Sequence, residues 1–382
     1  VIQMTRTVRV DIAPKQSPQS GPSHVERLLG IAVARGAAAL YLTAQTPPAL
    51  RLDDEVRIID GEAALTSADI EAGVVNLVPE TTRDSLQRGD PAAWVADLPN
   101  VGRVRFSTFR DHRGSGAVLQ LIAVPTADQL GFSADIQALA TETEGLVVVA
   151  TPRGAGKSTL LGAFVDLMNR QRNYVITLER QIRLVHDNRN ALISQREVPG
   201  TAEQVLRVTR GALREKPDVL VIDDLASAES LQLVLEAAGS GLLVFLAVTG
   251  ASTTAALSHV IDLFPTDRRK EGQALIAERL RGAVAQALLR KTGGGRVVAR
   301  ELLLTTASVT RILTEGQLSE LPSAIESGRK HGMTSLTDAL VALIRSGAVD
   351  VREAYRKADD RDALLDALKR EQIDTTPVER LA

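Results

Sequence analysis

The chain has 382 residues, enough for two or three domains, and its formal net charge is −2. This charge gives no overall attraction to nucleic acid, and six Phe, three Tyr and one Trp offer few surfaces for base stacking. The absence of Cys excludes disulfides and thiolate metal sites, and five scattered His leave a zinc site almost without ligands. Apolar runs are far shorter than the roughly 20 residues that span a bilayer. We therefore expect a soluble, cytosolic protein that neither binds nucleic acid nor spans a membrane.

The N-terminal third of the chain predicts a small α+β domain. Residues 1–22 become polar and Pro-rich and predict a flexible arm. Ser23 then offers an N-cap for a first helix. Short strand-like runs follow at 39–42, 49–52, 56–59, 103–109 and 118–122. We expect this domain to cover residues 23–125, with a linker at 126–130.

From about residue 131 the pattern changes to buried-strand runs that alternate with helices. The strand runs lie at 146–150, 174–178, 219–222, 242–248 and 297–304. Such alternation is typical of a largely parallel sheet with helices on both faces. We expect this domain to cover residues 131–316, and the remaining residues 317–382 to be helical.

A strand–loop–helix segment carries the strongest functional signal. An apolar strand from Gly145 runs into a Gly-containing loop that ends in Gly-Lys-Ser, and a helix continues from there. This context is that of a nucleotide P-loop, in which backbone N–H groups cradle phosphates, Lys157 neutralises the β/γ oxygens and Ser158 binds Mg²⁺. The predicted cofactors are ATP and Mg²⁺, and the predicted binding residues are Thr151, Arg153, Gly154, Ala155, Gly156, Lys157, Ser158 and Thr159.

One position departs from the P-loop pattern, because Thr151 stands where the first glycine is expected. A Gly-Lys-Ser helix start also occurs by chance. The chain has 37 Arg but only 8 Lys, and Lys157 is the single lysine between Lys15 and Lys216. A lysine at this position in so Arg-rich a chain favours a specific role.

A second signal follows at the expected distance. The apolar run 219–222 ends in Asp223 and Asp224, which is the Walker B form. One of these acids would hold Mg²⁺ through water, and the next could orient the attacking water. Taken alone, the pattern also fits a strand that runs into an acidic turn.

Several segments jointly resemble motifs of the secretion and pilus motor ATPases, specifically the twitching-motility retraction ATPases of the PilT and PilU type. The segments are 195–198 (QREV), 212–219 (ALREKPDV), 261–265 (IDLFP), 328–340 (which includes GRKHGM), 102–106 (GRVRF) and 47–51 (PPALR). The resemblance covers about residues 23–360, with type II secretion ATPases more distant. It implies an α/β protein with a PAS-like α+β N-terminal domain, a RecA-like P-loop ATPase domain and C-terminal helices.

The resemblance also implies partners and further site residues. Members of the family form hexameric rings, so we expect a homo-hexamer or a mixed ring with a paralogous motor ATPase. An inner-membrane pilus platform protein is the other expected partner, which would place the chain in the cytoplasm, peripheral to the inner membrane. Arginines of the N-terminal domain reach the nucleotide in this family, and Arg103, Arg105 and Arg113 fall on matching positions.

The residues that handle water in this family differ here. Of the three acids in its TIEDPIE motif only Glu179 remains, while Arg180 and Arg183 replace the other two. Arg183 stands where the family activates water, and Thr249 stands at the family's histidine. The Walker B glutamate is Asp224, whose carboxylate is withdrawn by about 1 Å, a misplacement that can cost ~10²-fold in rate.

Two functions therefore remain open. Asp223, Asp224 and Glu179 are the candidate catalytic residues, with Ser158 and Asp223 as metal ligands. If Asp223 compensates for the lost acids, the chain is an active hexameric motor for pilus retraction or secretion. If it does not, the chain is a nucleotide-binding accessory subunit with weak hydrolysis. A RecA-like ATPase acting on nucleic acid is disfavoured by the charge and the few aromatic residues.

Overall fold

The computed structural model describes residues 12–13, 23–52, 55–99, 101–122, 124–171, 173–198, 201–225 and 227–379. These residues form two compact units, one up to residue 122 and the other from residue 124 onward. The predicted arm at 1–22 lies outside the described residues except for Ile12–Ala13. The predicted linker at 126–130 belongs to the second unit, where Ala127 is fully buried.

The N-terminal unit is built on a seven-stranded sheet with three helices. Its strands are β1 Ile12–Ala13, β2 Ala39–Thr43, β3 Ala49–Leu52, β4 Glu55–Ile58, β5 Ala93–Leu98, β6 Gly102–Asp111 and β7 Gly114–Ile122. The strand order is β1-β5-β6-β7-β2-β3-β4, and every pair is antiparallel except β1 with β5. The helices are α1 His24–Ala34, α2 Ser67–Val75 and α3 Glu80–Gln87.

Helix α1 begins where its sequence predicts. The Ser23 hydroxyl accepts a hydrogen bond from the Glu26 backbone, and the Glu26 carboxylate accepts one from the Ser23 backbone, which together form a capping box. The apolar face of the helix, made of Val25, Leu28, Leu29 and Ala32, is buried against the sheet. In the same core Trp94 stacks on Phe106 with ring centroids 5.0 Å apart.

The second unit is built on another seven-stranded sheet. Its strands are β8 Gly145–Thr151, β9 Tyr174–Glu179, β10 Leu192–Glu197, β11 Val219–Asp223, β12 Leu243–Thr249, β13 Leu280–Arg290 and β14 Arg296–Leu304. The order is β10-β9-β11-β12-β8-β13-β14, and only β14 is antiparallel to its neighbour. The predicted fold class, a largely parallel sheet preceded by a mixed α+β domain, is confirmed.

Helices cover both faces of this sheet. They are α4 Ala134–Ala138, α5 Lys157–Met168, α6 Ala202–Arg214, α7 Ala228–Ala238, α8 Thr253–Asp262, α9 Arg269–Arg279, α10 Ala307–Glu315, α11 Leu321–Ser327, α12 Leu336–Arg345, α13 Val351–Lys357, α14 Arg361–Arg370 and α15 Thr376–Glu379. Short 3₁₀ turns lie at Leu139–Thr141, Leu318–Glu320 and Arg329–His331. None of the helices in the described part of the chain has the length and apolar character that crossing a bilayer requires.

Strand β8 shows how the sheet is buried on both faces. All seven of its residues are buried, and they alternate between two cores. Leu146, Val148 and Ala150 pack with residues of α6 to α11, whereas Val147 and Val149 pack with α4 and α5. Because β8, β9, β11 and β12 are parallel, their carboxyl ends share one edge of the sheet, where ligands bind in folds of this kind.

Candidate functional site

The loop between β8 and α5 has the backbone of a phosphate-binding loop. Gly154 and Gly156 adopt left-handed φ angles of 77° and 88°, which a side chain rarely permits. Helix α5 begins at Lys157, and its N-cap, Gly156, supplies no side chain to cap the first turn. The backbone N–H groups of that turn are therefore available to an anion at the positive end of the helix.

Thr151 fits this loop although a glycine is expected there. It is the last residue of β8, buried and paired with Thr249 of β12, so its backbone is extended rather than left-handed. A glycine is therefore not needed at this position. The remaining predicted residues follow in order around the loop, with Arg153 and Thr159 exposed and Ser158 half-buried.

Two neighbouring strands bring acidic residues to the phosphate loop. Asp223 ends β11 and forms an ion pair with the Lys157 ammonium. Glu179 ends the adjacent strand β9. A cavity of about 20 Å³, close to the space that one water occupies, lies beside these carboxylates. Its polar lining is Ser158, Thr177, Glu179, His186, Gln195 and Asp223.

Glu179 is a half-buried carboxylate held in one orientation. The Thr177 hydroxyl and the Gln195 amide nitrogen donate to it at 2.7 and 3.0 Å. Gln195 is itself fixed, because its amide donates to the Leu184 carbonyl and accepts from the His186 backbone. Burial raises the pKa of Glu179 above its ordinary value, and the hydrogen bonds oppose this shift without cancelling it.

Asp224, the second Walker B acid, also has a cationic partner. Its carboxylate lies 3.2 Å from the Arg180 guanidinium, and its backbone is left-handed with a φ of 78°. Arg183 is exposed and does not line the cavity, and Thr249 is exposed at the end of β12. Each Walker B carboxylate is therefore paired with a cation of its own subunit.

Two of the motif segments noted in the sequence meet in one ion pair. Arg196 of β10 donates twice to Glu215, which follows α6, at 2.8 and 2.6 Å. The Tyr174 hydroxyl of β9 donates to the same carboxylate at 2.8 Å. Arg196 foremost, and Tyr174 after it, lower the pKa of Glu215 to about 2. This contact joins β9, β10 and the end of α6.

The three N-terminal arginines of the predicted site lie on β6 and in the turn that follows it. Arg103 forms a two-pronged ion pair with Asp97 at 2.9 and 3.0 Å and is only 10% exposed. Arg113 donates to the Thr46 hydroxyl at 3.0 Å, and Arg105 lies on β6 two residues beyond Arg103. Arg103 thus already has a carboxylate partner within its own unit.

Two functional candidates have no signal in the sequence. Gln286 of β13 donates its amide to the Ala155 carbonyl of the phosphate loop at 2.9 Å. Arg300 of β14 donates to the Gln286 amide oxygen at 2.9 Å. Neither residue belongs to a P-loop or Walker B pattern, and only the pairing of β13 with β8 and β14 reveals them.

The donors present suit Mg²⁺ shared with a nucleotide. Within the described ranges, no three His, Asp or Glu side chains converge to hold a metal. Ser158 and Asp223 nevertheless line the same cavity. A hydroxyl and one carboxylate fit Mg²⁺, which keeps several waters and takes its other ligands from substrate phosphates.

Comparisons with known proteins identify the family of the chain. The sequence profile of the family described as "Type II/IV secretion system protein" matches residues 96–367. The type IV pilus retractation ATPase PilT of Pseudomonas aeruginosa is 31% identical over 337 residues, which cover 87% of this chain and 98% of PilT. The type IV pilus ATPase PilU of the same organism is 26% identical over 89% of this chain and 90% of PilU. The crystal structure of the pilus retraction motor PilT with bound ADP superposes with a TM-score of 0.74 at 26% identity, over 89% of this chain and 98% of that one.

Proposed function

Because the chain belongs to the type II/IV secretion system protein family and is similar to PilT and PilU, we propose that it binds ATP with Mg²⁺ and hydrolyses ATP slowly. We further propose that it acts as an accessory subunit of a pilus retraction motor. The observation that supports slow hydrolysis, and with it the accessory role, is the ion pair between Arg180 and Asp224.

Nucleotide binding is supported by the loop. Its left-handed glycines, the uncapped start of α5 and Lys157 beside the loop form the set of donors that a triphosphate requires. The similarity to the PilT structure, which holds ADP, supports nucleotide binding. Ser158 and Asp223 would hold Mg²⁺, which supplies positive charge to the phosphate oxygens when bound.

Weak hydrolysis is supported by the cations around the acids. Arg180 neutralises Asp224, and Arg183 removes a proton acceptor from the position where the family has one. Loss of a group that orients or deprotonates water commonly costs 10²–10⁴-fold in rate. These defects act on one step, so their costs do not add.

Removal of the Lys157 ammonium tests nucleotide binding. We expect Lys157→Ala to weaken binding of a fluorescent ATP analogue by roughly 10- to 100-fold, because hydrogen bonds to charged groups contribute about 1.5–3 kcal/mol. Lys270→Ala, which changes an exposed lysine of α9, serves as the matched control. Equal affinity in wild type and Lys157→Ala, or no binding by either, contradicts the proposal.

Steady-state ATPase assays test the proposal that the chain hydrolyses ATP slowly. We expect wild-type turnover well below 1 s⁻¹, within the lowest range of enzymes, with Lys157→Ala as the blank. Replacing the two cations by the family's acids, in Arg180→Asp with Arg183→Glu, should raise turnover at least tenfold, since both proton acceptors return. Wild-type turnover of about 1 s⁻¹ or more would show that another residue performs the chemistry.

One observation favours the alternative, an active motor. Burial raises the pKa of Glu179, which lies beside a cavity of single-water size lined also by Ser158 and Asp223. A carboxylate with a raised pKa is a better proton acceptor near neutral pH. Fast wild-type turnover that is lost in Glu179→Gln would establish this alternative.

Assembly and location belong to the same proposal. The similarity to PilT and PilU over nearly the whole chain supports a hexameric ring, formed by this chain alone or with a paralogous motor ATPase. It equally supports a place in the cytoplasm beside an inner-membrane platform protein of the pilus.

A further inference from the structure

Arg300 is a half-buried cation near the phosphate loop. It donates to the Leu130 carbonyl at 2.7 Å, and its guanidinium carbon lies 4.8 Å from the centroid of the Phe132 ring. No carboxylate in the described part of the chain pairs with it, and one of its terminal nitrogens is buried without a partner there. Burial lowers its pKa to about 10, so it remains charged at neutral pH. A partly buried charge without a counterion costs free energy, which argues for a role beyond packing.

Arg300 determines how the Gln286 amide is oriented. Gln286 is 2% exposed, and its amide lies between Arg300 and the Ala155 carbonyl. A guanidinium only donates hydrogen bonds, so the amide oxygen must face Arg300. The amide nitrogen is then directed at Ala155, where it donates.

The Gln286 hydrogen bond fixes one peptide group of the phosphate loop. Because a trans peptide is planar, holding the Ala155 carbonyl toward Gln286 turns the Gly156 N–H in the opposite direction. Gly156 also packs closely on this amide, since a Cβ added there would lie 3.1 Å from the Gln286 nitrogen. N–H groups at this turn are those that a P-loop offers to phosphates.

We propose that Arg300 is a positioning residue for the phosphate loop, which it holds through Gln286 in the orientation that binds nucleotide phosphates. The same guanidinium ties the loop to residues 130–132, near the start of the second unit. This inference rests on the proposed binding of nucleotide and adds a residue outside the P-loop motif to that site.

The test separates positioning from simple structural support. Gln286→Glu gives Arg300 a counterion but places an oxygen without a proton against the Ala155 carbonyl. Arg300→Met removes the donor that orients the amide. Arg281→Met is the matched control, because Arg281 lies near the beginning of β13, before Gln286, and donates to the Glu144 carbonyl.

Two quantities are measured for each variant: the dissociation constant of a fluorescent ATP analogue and the thermal midpoint without nucleotide. Arg300→Met and Gln286→Glu should each weaken binding about five- to tenfold, the effect of one hydrogen bond. The midpoint should fall in Arg300→Met, which leaves the Leu130 carbonyl and the buried Gln286 amide oxygen without their donor, and by less in Gln286→Glu, which keeps a partner for Arg300. Arg281→Met should leave the affinity unchanged.

Two results would overturn the inference while leaving nucleotide binding intact. One is that Gln286→Glu binds the ATP analogue with the same affinity as wild type. The other is a loss of affinity in Gln286→Glu with a fall in midpoint equal to that of Arg300→Met, which would indicate structural support only. Absence of binding by the wild-type chain would overturn the proposed function and this inference together.

Discussion

Asp224 combines a functional position with an unfavourable backbone. Its φ of 78° lies in the left-handed region, which Asp and Asn tolerate better than most residues with side chains. An aspartate is therefore better suited than a glutamate to this position in the present chain. The backbone geometry gives a physical reason for the departure from the family's Walker B glutamate.

This strain leads to a prediction about stability. Asp224→Gly should raise the free energy of unfolding by about 1 kcal/mol relative to Asp224→Ala, because glycine adopts positive φ without steric cost. Urea unfolding measures the difference. Arg180→Met controls for loss of the ion pair, which is largely exposed and contributes little. Equal stability of the Gly and Ala variants would show that residue 224 is not strained.

At the scale of elements, Glu215 links two strands to the helix that precedes it. Its carboxylate accepts from Arg196 of β10 and Tyr174 of β9 directly after α6 ends. The pKa of this group is lowered from 4.5 to about 2, so its stabilising effect is complete above pH 4.5. The effect is lost as the pH falls through about 2, because the carboxylate is protonated in both states only below that pH.

Glu215→Gln tests this link. The variant should be less stable than wild type at pH 7 by about 1 kcal/mol or less, since the pair is partly exposed to solvent. The difference should shrink below pH 4.5 and vanish only below about pH 2. Tyr174→Phe, which removes only the weaker partner, should show the same trend with a smaller amplitude. The denaturant midpoints of wild type and variants are measured across this pH range. A stability difference between Glu215→Gln and wild type that does not depend on pH would argue against the link.

The elements also show what the sequence could and could not predict. The phosphate loop, β8, β9 and β11 were predictable because an apolar strand run followed by Gly or Asp is a local pattern. β13 was not assigned, because its Ala, Leu, Gln and Arg residues are strong helix formers. Its position between β8 and β14 overrides that preference. Arg300 was not predicted either, because its hydrogen-bond partner Leu130 lies 170 residues earlier and no local pattern links the two residues.

At the scale of the whole molecule, the site depends on sheet order more than on sequence order. Lys157, Asp223 and Glu179 come from three separate segments that meet because β9 and β11 are adjacent and parallel. β8 supplies the loop from two strands away, beyond β12. The proposed water-handling acids and the phosphate loop therefore lie on different strands, so the acids can change while the loop keeps its geometry.

The last prediction concerns Arg103, for which two roles compete. Within its own unit it pairs with Asp97, whereas the family resemblance predicts that it reaches the nucleotide of the assembled ring. Arg103→Met and Asp97→Asn both remove the ion pair, so both should lower the stability of the N-terminal unit. Only Arg103→Met also removes the guanidinium. If the predicted role holds, the ATP analogue should bind at least tenfold more weakly to Arg103→Met than to Asp97→Asn, the effect of one charge-assisted hydrogen bond.

Both variants must be compared in the same state of assembly. Light scattering with and without ATP should show a ring of six copies in wild type, and the titrations are done at a concentration where each variant forms it. Equal affinities in rings of equal size would assign Arg103 to its domain alone. A strict monomer at every concentration, also when a paralogous ATPase is added, would contradict the ring, and the predicted role of Arg103 would fail with it. Weaker binding by Arg103→Met alone would mean that the guanidinium contacts the nucleotide, which is compatible with the Asp97 pair because a guanidinium has five N–H donors and Asp97 accepts from two of its nitrogens.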